Sequence, residues 1–307
     1  MRSVHYIKTT AAFMLVSVFL LLCGCQKEVY VDPHEGMVSV PNGGGGQMWV
    51  PLYEELPVSS FKADEFHSDG EYINYSGDDY KALRGIDVSE HQQEIDWAAV
   101  KNDGVEFAII RAGYRGYSEG QMFEDKFFRA NIEGALAQDI RVGVYFYSQA
   151  INTDEAAEEA MFLLSLIEGY DVTLPVFYDW EHVSNVGVTR CDDVDGKTIT
   201  DCCLAFTDII SKAGYEAGVY FYRGLGYTQY ELNRLGDLIF WAAAPGVAPD
   251  FYYAHRIWQY SYTAQVSGIE GDTDLNLMFV SKTDAPAPSI IPGEIPAPEV
   301  SSPVSEN

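Results

Sequence analysis

From residue 85 to residue 279 the chain alternates short apolar runs with longer stretches of helical spacing. The runs lie at 85–88, 107–110, 142–147, 174–179, 217–222, 238–243, 256–260 and 273–279. Several are continuously apolar, as in strands covered on both faces. Helical stretches at about 96–102, 125–137, 152–167 and 200–213 separate the early runs, and a short one near 230–235 follows the fifth. The stretch at 152–167 is the clearest. Asn152 or Thr153 can cap it, Glu155 is placed for a capping box, and Ala157, Ala160, Met161, Leu164 and Ile167 form an apolar stripe. Repeated strand–helix units predict an α/β fold with a parallel sheet, and eight strands predict closure into a barrel. The last three runs have little helix between them, so a regular eight-fold barrel is excluded.

The flanks read differently. Arg2 and Lys8 precede an apolar run from Ala11 to Cys23, which is short and one-sided, as in a secretory signal. The run ends Leu22-Cys23-Gly24-Cys25, which resembles a lipoprotein processing signal. Residues 1–24 are therefore expected to be a signal peptide. Cys25 is expected to be lipidated and to anchor the chain to a bacterial membrane, outside the cytoplasm. Residues 25–80 carry a four-glycine run at 43–46, prolines and scattered charge, without sustained periodicity. They predict a flexible tether, about 40 Å in root-mean-square span, although the aromatics of 61–80 favour packing on the domain. The catalytic domain is expected at 81–282. Residues 283–307 are rich in proline and serine and predict a disordered tail.

A net charge of -27 argues against nucleic-acid binding, which needs Lys and Arg to neutralise phosphate. No protein partner is implied. Cys191, Cys202 and Cys203 leave two readings open, one loop disulfide or buried free thiols. His91 and His182 lack the spaced companions of a metal site, so no metal and no cofactor are expected.

In a β/α barrel the active site lies where strands end. Asp87, Arg111, Tyr114, Tyr145, Tyr147, Asp179, Glu181, Tyr220, Tyr222, Trp241, Trp258, Gln259, Tyr260, Asp274 and Asn276 all fall at such places. Asp179 and Glu181 are two apart, so on a strand they share a face. Close carboxylates resist joint ionisation, and a protonated acid beside an ionised one is what glycosidic cleavage requires. A lone Asp-x-Glu is ordinarily a solvated strand end. Here the whole set, in a secreted chain, points to hydrolysis.

The motifs Gly85-Ile86-Asp87-Val88-Ser89, Arg111-Ala112-Gly113-Tyr114, Gly143-Val144-Tyr145-Phe146-Tyr147, Asp179-Trp180-Glu181, Ile257-Trp258-Gln259-Tyr260 and Asp274-Leu275-Asn276 occur in one order. In that order and spacing they resemble glycoside hydrolase family 25, the lysozymes found among phage endolysins and bacterial autolysins. The resemblance covers about residues 83–281. It implies an irregular TIM-like barrel of five β/α units followed by three β-strands. It also implies cleavage of the β-1,4 bond between N-acetylmuramic acid and N-acetylglucosamine in peptidoglycan. Glu181 would be the general acid/base and Asp179 the assisting carboxylate, which orients the 2-acetamido group of the substrate. An inverting route, with Asp179 or Asp87 activating water, is the rival. Asp87 and Asp274 would line the site, with Tyr145, Tyr147 and Trp258 as aromatic walls. The sequence departs from the family where Pro245 replaces a tyrosine after the sixth strand, which leaves one wall of the sugar groove in doubt. A non-catalytic peptidoglycan-binding lipoprotein is the alternative reading.

Overall fold

The computed structural model describes residues 32–184 and 186–282. The expected signal peptide, Cys25 and the proline-rich 283–307 lie outside these residues. Residues 32–35 belong to a separate N-terminal unit and form a turn closed by the Glu35 N–H on the Asp32 carbonyl. The rest lies in one unit that starts at Gly36.

That unit opens with ordered structure where a tether was expected. Strands β1 (Met37–Pro41) and β2 (Gln47–Pro51) pair antiparallel around the glycine run. A second hairpin follows, β3 (Phe66–Asp69) with β4 (Tyr72–Tyr75). The two hairpins bury Val40, Val50, Phe66 and Ile73. The linking segment is held by the Ala254 N–H on the Pro57 carbonyl and by the Ser59 N–H on that of Tyr252. Phe61 sits 4.2 Å from Phe279, centroid to centroid. Aromatics that are costly to leave in water draw this segment onto the barrel.

The barrel begins with β5 (Tyr80–Val88) and α1 (Trp97–Asn102), then β6 (Phe107–Arg115) with a short edge strand β7 (Met122–Glu124) and α2 (Phe128–Ala137). It continues with β8 (Arg141–Ser148), α3 (Thr153–Ile167), β9 (Val172–Trp180), α4 (Gly196–Lys212), β10 (Ala217–Tyr222) and α5 (Arg223–Gln229). Strands β11 (Ile239–Ala243), β12 (Ile257–Ala264) and β13 (Thr273–Ser281) complete it. The order β5-β13-β12-β11-β10-β9-β8-β6 closes through β5–β6, giving an irregular eight-stranded TIM-like barrel. One correction concerns direction. The expected parallel sheet holds for the barrel strands from β5 to β12, but the edge strand β7 pairs antiparallel with β6 and β13 runs antiparallel to both its neighbours.

Two apolar clusters share the barrel wall. Leu83, Phe107, Ile109, Phe177, Trp241, Ile257 and Met278 fill the inside. A larger cluster packs the outer faces of the strands against helices and hairpins. The interior is filled by pairing large with small. Gly85 stands opposite Phe107, and Gly218 opposite Phe177. A Cβ at either glycine would overlap the facing ring.

The capping box of α3 is displaced. The Asn152 side chain accepts the Glu155 N–H at 3.0 Å, but the Glu155 carboxylate takes the Ile151 N–H instead of that of Asn152. Its buried face is Ala156, Glu159, Ala160, Leu163, Leu166 and Ile167, whereas Met161 of the expected stripe is 57% exposed. Glu159 enters that face because Arg115 of β6 meets it at 2.7 Å. The helix expected near 230–235 is a 3₁₀ turn at Leu232–Arg234, preceded by α5. Cys191, Cys202 and Cys203 are buried free thiols.

Candidate active site

Strand parity builds the site. Side chains alternate between the faces of a strand, so Asp87, Arg111, Tyr145, Phe177, Asp179, Tyr220, Trp241 and Gln259 fall on inward positions. The apolar members plug the lower barrel, and the polar ones line a cleft of about 410 Å³ at the mouth. Neighbouring strands set Tyr147, Asp179 and Tyr220 side by side. The reversed direction of β13 puts its beginning at the mouth, where Asp274 pairs directly across from Asp87. Asp87, Asp179, Glu181 and Asp274 all line this one cleft.

Asp87 is the hub of a hydrogen-bond chain. Its Oδ2 accepts from Gln259 Nε2 at 2.8 Å and from Asn276 Nδ2 at 2.7 Å. Behind these amides, the Tyr220 hydroxyl donates to Gln259 Oε1 at 3.0 Å and the Trp241 indole to Asn276 Oδ1 at 2.8 Å. Each amide is thus held in one orientation. Burial raises the Asp87 pKa to about 6, against the pull of the Asn276 and Gln259 donors. Burial and the Asp87 charge drive Asp274 to about 9, so at neutral pH it keeps its proton and shares it with Asp87.

Asp179 and Glu181 form the second acidic pair. Burial first, then the charges of Glu181 and Asp87, push Asp179 well above the carboxylate range, and Arg111 opposes them. One Asp179 oxygen, Oδ1, is buried without a hydrogen-bond partner. Burial and the Asp87 charge also raise Glu181, while Tyr220 pulls the other way. The two cannot both ionise readily, so they share protons as a unit. The Gln149 amide donates to the Glu181 carbonyl at 3.0 Å and fixes the strand end. Arg111 lines the cleft but is largely neutralised by Asp125 at 2.7 Å and Glu90 at 3.2 Å. Tyr145, Tyr147 and Tyr220 are held protonated by burial and the acids around them, which leaves them neutral donors.

Two expected site residues stand elsewhere. Trp258 is fully buried outside the barrel, its indole donating to the Ala244 carbonyl at 2.8 Å and its ring packed on Phe66 and Tyr260. It neighbours Gln259 on β12, and only one of the two can face inward. Tyr114 stacks on Phe123 beside Arg111 and does not line the cleft. Trp241, expected at a strand end, does line the cleft, and Asn276 supports it from behind, whereas Tyr117, His91 and Gln92 line it without having been singled out for it. Tyr117 lies in a loop and Gln92 in a short 3₁₀ turn, where sequence carries no strand periodicity. His182 packs on Trp180, which is buried outside the barrel as its parity requires.

A barrel whose mouth gathers proton-sharing carboxyls between tyrosines has the architecture on which glycoside hydrolases are built. The chain belongs to glycosyl hydrolases family 25, whose family model matches residues 86–269. It is 28% identical to an autolytic lysozyme of Clostridium acetobutylicum over 195 residues, which are 63% of this chain and 55% of that protein. It is 29% identical to Lysozyme M1 of Streptomyces globisporus over 211 residues, 64% of this chain and 68% of that one. The chain therefore spans little more than half the length of the first of these relatives. Among solved structures, the modular autolysin LytC of Streptococcus pneumoniae, in complex with a synthetic peptidoglycan ligand, superposes with a TM-score of 0.57. The match has 26% identity and covers 80% of this chain and 57% of that one. A family 25 glycosyl hydrolase of Bacillus anthracis shares the fold, with a TM-score of 0.53 at 21% identity, over 66% of this chain and 91% of that one.

Proposed function

We propose that this chain hydrolyses peptidoglycan as a muramidase, cutting the β-1,4 bond between N-acetylmuramic acid and N-acetylglucosamine. The observation that carries the reading is the pair Asp179 and Glu181, both lining one cleft, with proton affinities raised by burial and by the charge of neighbouring carboxylates, Asp87 for both and Glu181 for Asp179. In this reading Glu181 gives its proton to the leaving oxygen as the anomeric C–O bond breaks. Asp179 stabilises the positive charge that grows at the anomeric carbon. It does so by orienting the 2-acetamido group, whose carbonyl oxygen closes onto that carbon. Ionised Glu181 then takes a proton from water, which opens the cyclic intermediate. Asp87 and Asp274 hold the reacting sugar and bias the Glu181 proton. The lysozyme relatives and the ligand bound to LytC support peptidoglycan as the polymer.

The test uses the full chain and Glu181→Gln on purified peptidoglycan, with borohydride reduction and mass spectrometry of the new ends. Reduced muramic acid ends from the wild type, falling about 10²–10⁴-fold in the variant, are expected. Reduced glucosamine ends would mean another bond is cut. The anomer released first, read by NMR, is expected to show retention. Inversion would instead assign Asp179 or Asp87 as the base that activates water.

The same reading places the enzyme outside the cytoplasm, anchored through lipid on Cys25. Replacing Cys25 by Ala is then expected to move the protein from the membrane fraction to the soluble one.

A further inference from the structure

Strands β10 and β12 flank β11 in the sheet. After β11 the chain continues as Ala244-Pro245, small residues where the family resemblance called for a tyrosine. The two flanking strands each present a tyrosine at this part of the rim. Tyr222 lies two residues beyond Tyr220 on β10, on the same face, and packs against the interior cluster. Tyr262 on β12 is 39% exposed, and its phenol lies within electrostatic reach of Tyr222, Glu181, Asp274 and Asp87.

The first hairpin reaches the same place. A Cβ on Gly43, at the turn between β1 and β2, would stand 2.6 Å from the Tyr222 hydroxyl and 2.8 Å from Arg223 Nη2. The turn therefore touches the rim through a residue that has room for no side chain. Its shape is fixed locally: Asn42 Oδ1 accepts the N–H groups of Gly44 at 2.9 Å and Gly46 at 3.0 Å. Gly43 and Gly45 have φ of +82° and +83°, a region that glycine occupies without strain. Arg223, below the turn, is buried and paired with Asp250. A hairpin that precedes the family match at residue 86 is thus built onto the edge of the catalytic cleft.

From these placements we infer that Tyr222, Tyr262 and the glycine turn 42–46 form an additional sugar-binding subsite, one hexosamine ring beyond the pair that is cut. The inference rests on the muramidase reading and extends it. The two tyrosines offer the flat apolar faces and hydroxyl tips that pyranoses stack on. The glycine turn meets this part of the rim with backbone alone. The subsite makes the enzyme prefer longer glycan strands.

The test measures kcat/KM of the full chain on a tetra-, a hexa- and an octasaccharide of alternating N-acetylglucosamine and N-acetylmuramic acid. Tyr262→Ala and Gly43→Val are compared with the wild type, and circular dichroism checks the fold of each. The wild type is expected to prefer the longer substrates. Each variant is expected to lose about tenfold on the octasaccharide, the worth of one aromatic platform, with less than about twofold change on the shortest substrate cleaved. Equal losses at every length, or none at any length, would overturn the subsite while leaving the muramidase reading intact. A loss in Tyr262→Ala alone would remove the hairpin from the proposal, and Tyr262→Ala decides the tyrosine part even if Gly43→Val fails to fold. A well-folded wild type that cuts none of the three, nor peptidoglycan itself, would overturn both readings.

Discussion

Asp87 holds its charge at the cost of burial because two oriented amides donate to it, and those donors lower its pKa. Removing one must raise it. Asn276→Ala is therefore expected to shift the acidic limb of the pH–rate profile upward from near 6. It should also cut kcat/KM about 10–100-fold, the worth of one hydrogen bond to a charged group. An unmoved acidic limb would show that the ionisation of Asp87 is not what that limb reports. If Glu181 is the acid, as proposed, it sets the alkaline limb, because burial and the Asp87 charge raise its proton affinity above the ordinary carboxylate range of about 4.3. At this scale the acids were legible, because two-residue spacing on a strand end fixes a shared face. How the amide and indole supports connect was not. Asn276 reaches Asp87 from 189 positions along the chain and Trp241 holds Asn276 from 35, and only closure of the barrel brings the three together.

Elements carry a different kind of information. Read by parity, β12 can turn either Trp258 or Gln259 inward, and the structure turns Gln259. Trp258→Phe should therefore lower the unfolding free energy by about 1–3 kcal/mol in a denaturant titration and leave KM unchanged. A raised KM with unchanged stability would return Trp258 to the groove. On α3 the apolar stripe was misread by one position, because a buried acid looks like a solvent-facing one until its partner is known. Glu159 is 44 residues from Arg115 and is paired with it. Burial lifts its pKa from 4.5 to about 7, against the pull of Ser148 and Arg115. Between those values the folded chain holds a proton that the unfolded chain has released. This group therefore favours folding at low pH, and its contribution is lost as pH rises to about 7. Relative to Glu159→Gln, the wild type should lose about 3 kcal/mol of stability between pH 4.5 and pH 7, seen by comparing denaturation at the two values. Parallel pH slopes in the two proteins would refute this.

At the scale of the molecule, the hairpins of residues 37–75 cover the outer aromatics of the barrel. A chain beginning at Gly36 should melt like the full one in scanning calorimetry. One beginning at Tyr80 should melt lower or aggregate, because Phe279, Trp258 and Tyr253 lose their cover. Equal melting points would make the hairpins passengers. Their order was hidden by the glycine run, which reads as slack in a sequence but here forms a turn locked by Asn42. The last strand of the barrel lies beside the first, and Asp274 shares its proton with Asp87 across that junction, 187 residues away. The cutting site is therefore not a local property of any segment. A chain still emerging, clipped or half folded has all the acids and none of their pairing. Under the proposed function, the chain is silent until the two ends of its barrel meet, a delay set by folding itself.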